Sequence, residues 1–120
     1  MMNRYFDIAL NLASERFSGE RDKVIADALA LNVSYFNIVC SSLNELDFVK
    51  DLNNRYKQNS CFTLGVHPHN ANELNGNTLE SLKDSIKIHR PSAVGETGLD
   101  FFRNLSSYEN QINAFEEQII

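Results

Sequence analysis

The sequence predicts an α/β fold built from successive β/α units, about four of them. Three observations point to it. Short apolar runs alternate with longer segments whose apolar residues recur at helical spacing. The junction from run to helix is short, as β/α units prefer. A length of 120 residues with 42% hydrophobic content is enough for one core, yet falls short of the roughly 250 residues of a closed eight-unit barrel. Length alone therefore permits one domain over residues 1–120 and nothing more.

The first apolar run covers residues 5–12. The segment 20–31 then sets Val24, Ala28 and Leu31 on one stripe, as in a helix packed on a sheet. A second strand at 35–40 runs into Ser42-Leu43-Asn44-Glu45, a capping-box pattern opening a helix that carries Leu46, Val49, Leu52 and Tyr56. The third strand, 61–66, should stop at His67-Pro68-His69, where proline removes a backbone donor and forces its predecessor to be extended. An asparagine-rich loop at 70–77 precedes a helix over 78–89 with Leu79, Leu82 and Ile86 inward and Pro91 past its end. A short fourth strand follows at 93–96. The box Ser106-Ser107-Tyr108-Glu109 opens a last helix whose apolar positions are Ile112, Phe115 and Ile119. Because the sequence ends inside that amphipathic helix, at Ile119-Ile120, it is read as a truncation. A sheet left open in this way is expected to self-associate through its strand edge and unpaired apolar faces.

Composition narrows the functional classes. A net charge of -5 and a pI near 5.1, with no Lys/Arg run, exclude a sequence-independent basic patch for nucleic acid. The residues Met1-Met2-Asn3-Arg4-Tyr5 lack the apolar centre of a signal peptide, and no run approaches the ~20 apolar residues of a membrane span. A cytoplasmic protein with no membrane partner is expected. Cys40 and Cys61 have no second cysteine at metal-ligand spacing and read as buried free thiols in a reducing compartment.

In β/α architectures the site lies at the C-terminal ends of the strands. The polar residues there are Asp7 to Asn11, His67 and His69, Glu96, and Asp100 with Arg103. A carboxylate and imidazoles converging from different strand ends can bind divalent cations that polarise a phosphate, the chemistry of metal-assisted hydrolysis. Each residue also has a plainer reading. Glu96 between glycines reads as well as a solvated loop carboxylate, His67 and His69 as surface or cap residues, Asp7 as a strand residue bonded to backbone, and Asn11 as a turn residue. His89 reads as solvent-facing near a helix C-terminus. Phe101 and Phe102 read as packing at the rim of the barrel.

Taken in order, Phe6-Asp7-Ile8-Ala9-Leu10-Asn11-Leu12, Gly65-Val66-His67-Pro68-His69 and Gly95-Glu96-Thr97-Gly98-Leu99-Asp100-Phe101, followed by Arg103-Asn104 and a helix with Gln111 and Phe115, resemble the TatD family of metal-dependent hydrolases. The resemblance runs through nearly the whole chain. It implies a TIM-like barrel and hydrolysis of phosphodiester bonds in DNA, single-stranded or at DNA ends, often as an exonuclease. It also implies that Glu96 is a metal ligand, that His67 contacts phosphate or transfers a proton, and that Asn11, Asp100 and Arg103 lie towards the substrate. The oligomeric state stays open.

One departure matters. Many members carry His-x-His at the end of the first strand, where this sequence has Ala9 and Asn11. Alanine cannot ligate, and an oxygen-rich set shifts the expected cation to Mg²⁺, with Mn²⁺ or Zn²⁺ as alternatives. The family's remaining ligands come from later strands, so 120 residues alone are expected to be inactive. Other readings are a different hydrolysis on the same scaffold, on RNA or an acyl-nucleic-acid adduct, and an inert truncated copy.

Overall fold

The structure is a computed structural model that describes residues 3–119. The initial methionines of the segment read as lacking a leader, and the terminal Ile120, lie outside the described residues. Strands β1 (Tyr5–Leu10), β2 (Val33–Ile38) and β3 (Ser60–Phe62) form a parallel sheet in that order. The fourth expected strand is reduced to a parallel bridge between Leu64 and Val94. Around it, Leu64 N donates to the carbonyl of Ala93 at 3.3 Å and Gly95 N to that of Leu64 at 3.1 Å. Pro91, which lacks an N–H, and the glycine at 95 leave room for no longer ladder.

Helix α1 (Arg21–Ala30) buries Ile25 and half-buries Val24 and Ala28. Leu31, expected on the same stripe, is 73% exposed, because the helix has already ended and Asn32, at φ 66°, turns the chain into β2. Helix α2 (Leu46–Arg55) buries Leu46, Val49 and Leu52, as its spacing predicts. The predicted capping box is displaced: Ser42 makes no side-chain cap, a 3-10 turn at Leu43–Glu45 intervenes, and Glu45 Oε2 accepts from the backbone N and Oγ of Ser41.

Helix α3 (Gly76–His89) begins earlier than its apolar period suggests, because Asn75 caps it. Asn75 Oδ1 accepts from Asn77 N and Thr78 N, and Thr78 Oγ1 accepts from Asn75 N at 2.7 Å, a true capping box that the sequence reading took for loop. Much of the rest of that loop is a 3-10 turn, Pro68–Glu73, with proline in its first turn.

Helix α4 (Tyr108–Gln118) is capped by Ser107, one residue after the Ser106 that opens the predicted box, and its buried face is Gln111, Ala114 and Gln118. The predicted stripe of Ile112, Phe115 and Ile119 only flanks that face, because what α4 meets is polar backbone.

The core lies between sheet and helices and is led by Leu12, Phe36, Ile38, Val49, Leu64 and Leu82. β2 is central: every residue from Phe36 to Cys40 is buried, the continuous run expected of a parallel strand covered on both faces. Cys40 and Cys61 are free; Cys61 is only half-buried, with Sγ near Asn37 Oδ1.

Candidate functional site

The two glycine-led motifs meet backbone to backbone. A Cβ built on Gly65 would lie 2.8 Å from Gly95 Cα and 2.9 Å from its C and N. Only a residue without a side chain at position 65 can approach so closely, and the approach lets the chain after each glycine turn into one cleft. That cleft, about 410 Å³, is lined by His67, Pro68, Glu96, Thr97, Gly98, Leu99 and Asp100.

Hydrogen bonds fix the rings inside it. His67 precedes the 3-10 turn, and its Nδ1 accepts from the backbone N–H of His69 at 3.1 Å. With Nδ1 occupied as an acceptor, the neutral ring carries its proton on Nε2 and presents a donor to the cleft. His69 Nε2 donates to Asp100 Oδ2 at 2.6 Å, and the two imidazoles meet edge to face with centroids 4.2 Å apart. The other Asp100 oxygen accepts from Arg103 N at 2.9 Å. Buried Ser106 ties the turn down: its Oγ donates to the His69 carbonyl at 2.8 Å and accepts from Asn72 N.

The electrostatics follow from this packing. Burial lowers the His67 pKa below its ordinary value and the neighbouring His69 adds to the effect, while the carboxylates of Glu96 and Asp100 pull the other way. The Asp100 carboxyl is held below the usual carboxylate range, first by the Arg103 N–H and then by the His69 ring. His67 is thus a neutral donor at pH 7 and Asp100 an ionised acceptor.

The structure brings His67, Glu96 and Asp100 together around the cleft, with His69 against them. Asp100, read from the sequence as facing substrate, lines the cleft with both carboxylate oxygens engaged, one by the His69 ring and one by Arg103 N. Asn11 does not line the cleft: it is exposed in the turn after β1, where its carbonyl accepts from Ser14 N at 3.1 Å. Arg103 is exposed near enough to act on His67. Asp7 takes its plain reading, Oδ1 accepting from Ala9 N. The two phenylalanines pack no rim among the described residues. Phe101 stacks on Tyr108 at 4.5 Å, and Phe102 is 97% exposed.

Sequence reasoning missed Gln118, noted Gln111 without a role, and gave no role to Ser106 beyond a helix cap. Gln118 Oε1 accepts from Val66 N at 2.7 Å, and its Nε2 donates to the carbonyls of Val66 and Ala114. Gln111 Oε1 accepts from Asp100 N at 2.8 Å, and its Nε2 donates to the carbonyls of Asp100 and Ser106. The available signal was a glutamine, alanine, glutamine row at helical spacing.

Among the described residues no group of three or more His, Cys, Asp or Glu is placed to hold a metal ion. Asp100 is engaged with His69 and Arg103 N, and His67 Nδ1 with His69 N, which leaves Glu96 as a single carboxylate. Beside it the buried Thr97 Oγ1 has no hydrogen-bond partner among the described residues. These residues do not fit a complete cation site, which for a hard cation needs several oxygen ligands.

Comparison with known proteins gives a consistent result. The family described as TatD related DNase matches residues 6–120. A relative from Erwinia tasmaniensis named 3'-5' ssDNA/RNA exonuclease TatD is 39% identical over 114 residues, 95% of this chain and 44% of the relative. A TatD family hydrolase from Entamoeba histolytica superposes with a TM-score of 0.83 at 27% identity, over 97% of this chain and 44% of that one. A TatD homologue from Escherichia coli gives 0.85 at 27% identity, over 98% and 46%. The chain thus spans less than half the length of the proteins it matches, and its parallel β/α units are those that open a TIM-like barrel.

Proposed function

The chain belongs to the TatD related DNase family, and from that membership we propose that the whole protein is a metal-dependent deoxyribonuclease. It hydrolyses phosphodiester bonds in single-stranded DNA or at DNA ends, as an exonuclease, with residues 1–120 as the N-terminal half of its one barrel domain. The supporting observation is the cleft at the strand ends, where a neutral His67 presents Nε2–H beside the Glu96 carboxylate.

In this reading His67 donates to a phosphate oxygen, Asp100 and His69 hold its ring in place, and Arg103 reaches a neighbouring phosphate. Glu96 is the ligand that this chain gives to a divalent cation, Mg²⁺ ahead of Mn²⁺ or Zn²⁺, which supplies Lewis acidity when bound. Asn11 stays a candidate substrate contact only at the outer margin. RNA is the second reading, favoured by the name of the Erwinia relative. The proposal includes the cytoplasm, where free thiols stay reduced. No helix among the described residues is long and apolar enough to cross a membrane.

The test is single-turnover degradation of 5'- and 3'-labelled single-stranded DNA with Mg²⁺. It compares this chain alone with a complete barrel made by joining it to the C-terminal remainder of the Erwinia tasmaniensis relative. The chain alone is expected to be inactive and the barrel active. Glu96→Ala should abolish label release, and His67→Ala should cost about a hundredfold in kcat. An active barrel indifferent to Glu96→Ala would refute the assignment, and faster release from an RNA oligonucleotide would move the substrate to RNA.

A further inference from the structure

We infer that Gln111 and Gln118 are positioning residues through which α4 holds both halves of the candidate site in register, an inference that rests on reading His67 as the proton-bearing group. Both side chains are buried, at 1% and 5% exposure, where an amide without partners is costly. Each grips the main chain of one site residue by both its N–H and its carbonyl, Gln111 also donating to the Ser106 carbonyl. Gln118 pairs with the N–H and carbonyl of Val66, Gln111 with the N–H and carbonyl of Asp100. A carboxamide has the donor and acceptor of a backbone peptide, so each glutamine substitutes for a neighbouring strand at a point where the ladder has run out. Two contacts per residue fix position and orientation together.

The consequence reaches the rings. Val66 is followed by His67, whose Nδ1 accepts from His69 N. The His69 ring holds the Asp100 carboxylate, and the Asp100 backbone returns to Gln111. The hydrogen bonds therefore form a circuit that leaves α4 at one glutamine and returns at the other, with His67 inside it. Two helical turns separate the glutamines, which places them on one face. A hydrophobic face on α4 would bury as well, but it would leave the Val66 and Asp100 peptides without these partners and the His67 tautomer without support.

The test reads the His67 ring proton directly in this chain. ¹⁵N-labelled protein is compared with Gln118→Met, Gln111→Met and the exposed-face control Asn113→Ala. Long-range ¹H–¹⁵N spectra, recorded above the titration of the ring, report which nitrogen is protonated. The unaltered chain and Asn113→Ala should show His67 as Nε2–H alone. Gln118→Met should add an Nδ1–H population, and Gln111→Met should shift the His69 ring signals, with the Phe36 and Ile38 amides unmoved in both. If either variant unfolds, Gln118→Glu and Gln111→Glu, which keep size and acceptor but lose the donor when ionised, are read in the same way. A variant with a folded core and unchanged ring signals would overturn the inference, leaving these glutamines a purely structural role. Nuclease activity does not enter the readout, so failure of the proposed function and failure of this inference show up separately.

Discussion

The two sides of the sheet are held by different means. Among the described residues β1 has a hydrogen-bonded neighbour on one side only, and Tyr5, Phe6 and Ile8 along it are exposed. Its outgoing turn is fastened from outside by one residue: Arg21 donates to the carbonyls of Leu12, Ala13 and Ser14 while lying over the Phe48 ring. At β3 the succeeding residues Leu64 and Val66 are buried, flanked by the Val94 bridge and clamped by Gln118. The lesson is that hydrogen bonding within the sheet does not by itself fix the strand end at which the candidate site lies. The well-fixed end is the one with packing on its faces and a partner for each peptide.

The comparison is broken most severely by removing core volume from one side. Phe36→Ala, at a buried centre of β2, should cost about 4 kcal/mol, whereas Phe6→Ala on β1, which loses an edge-to-face contact with Tyr35, should cost about 1 kcal/mol. Urea denaturation of both variants measures the difference, and equal losses would mean that β1 is as well packed as β2.

A smaller effect is expected where the two motifs touch. Gly65→Ala pushes a methyl against Gly95 backbone that cannot move aside as a side chain would, and should cost about 2 kcal/mol. Gly19→Ala, which meets no atom within 4 Å but sits at φ 77°, is the control for backbone strain alone. The same denaturation series checks it, and a larger loss at Gly19 would put strain ahead of the close approach.

The mildest test is acid, and it acts on the site side. Because His67 titrates below its ordinary value of 6.5 when folded, the unfolded chain takes up that proton first as pH falls. Stability should therefore begin to decline below that value. Asp100, lowered from 3.8, keeps its contribution above that value and loses it as pH falls further. Thermal unfolding midpoints across this range should show both steps, and Asp100→Asn should remove the second; a midpoint that rises on acidification would contradict both assignments.

Much of this was legible in the sequence. Helical period located α2 and α3, and the motifs at Gly65 and Gly95 located the cleft, since short apolar runs and glycine-led turns are local signals. Less legible was anything decided by a partner far along the chain. The engagement of Asp100 with His69 and the burial of Gln118 depend on contacts that no local pattern announces. Leu31 was misplaced because one residue in a left-handed conformation ended the helix before it, and the face of α4 because glutamine is normally a surface residue.

The clamp on Val66 also has a place in time. Its two partners are separated by 52 residues, whereas Tyr5 pairs with Val33 and Phe36 with Ser60 over roughly half that span. Loop-closure entropy favours the short loops first. The sheet can therefore stand before α4 docks, whereas the imidazoles settle only after docking. Assembly of the sheet and ordering of the two rings are thus successive events, and the ordering waits for α4.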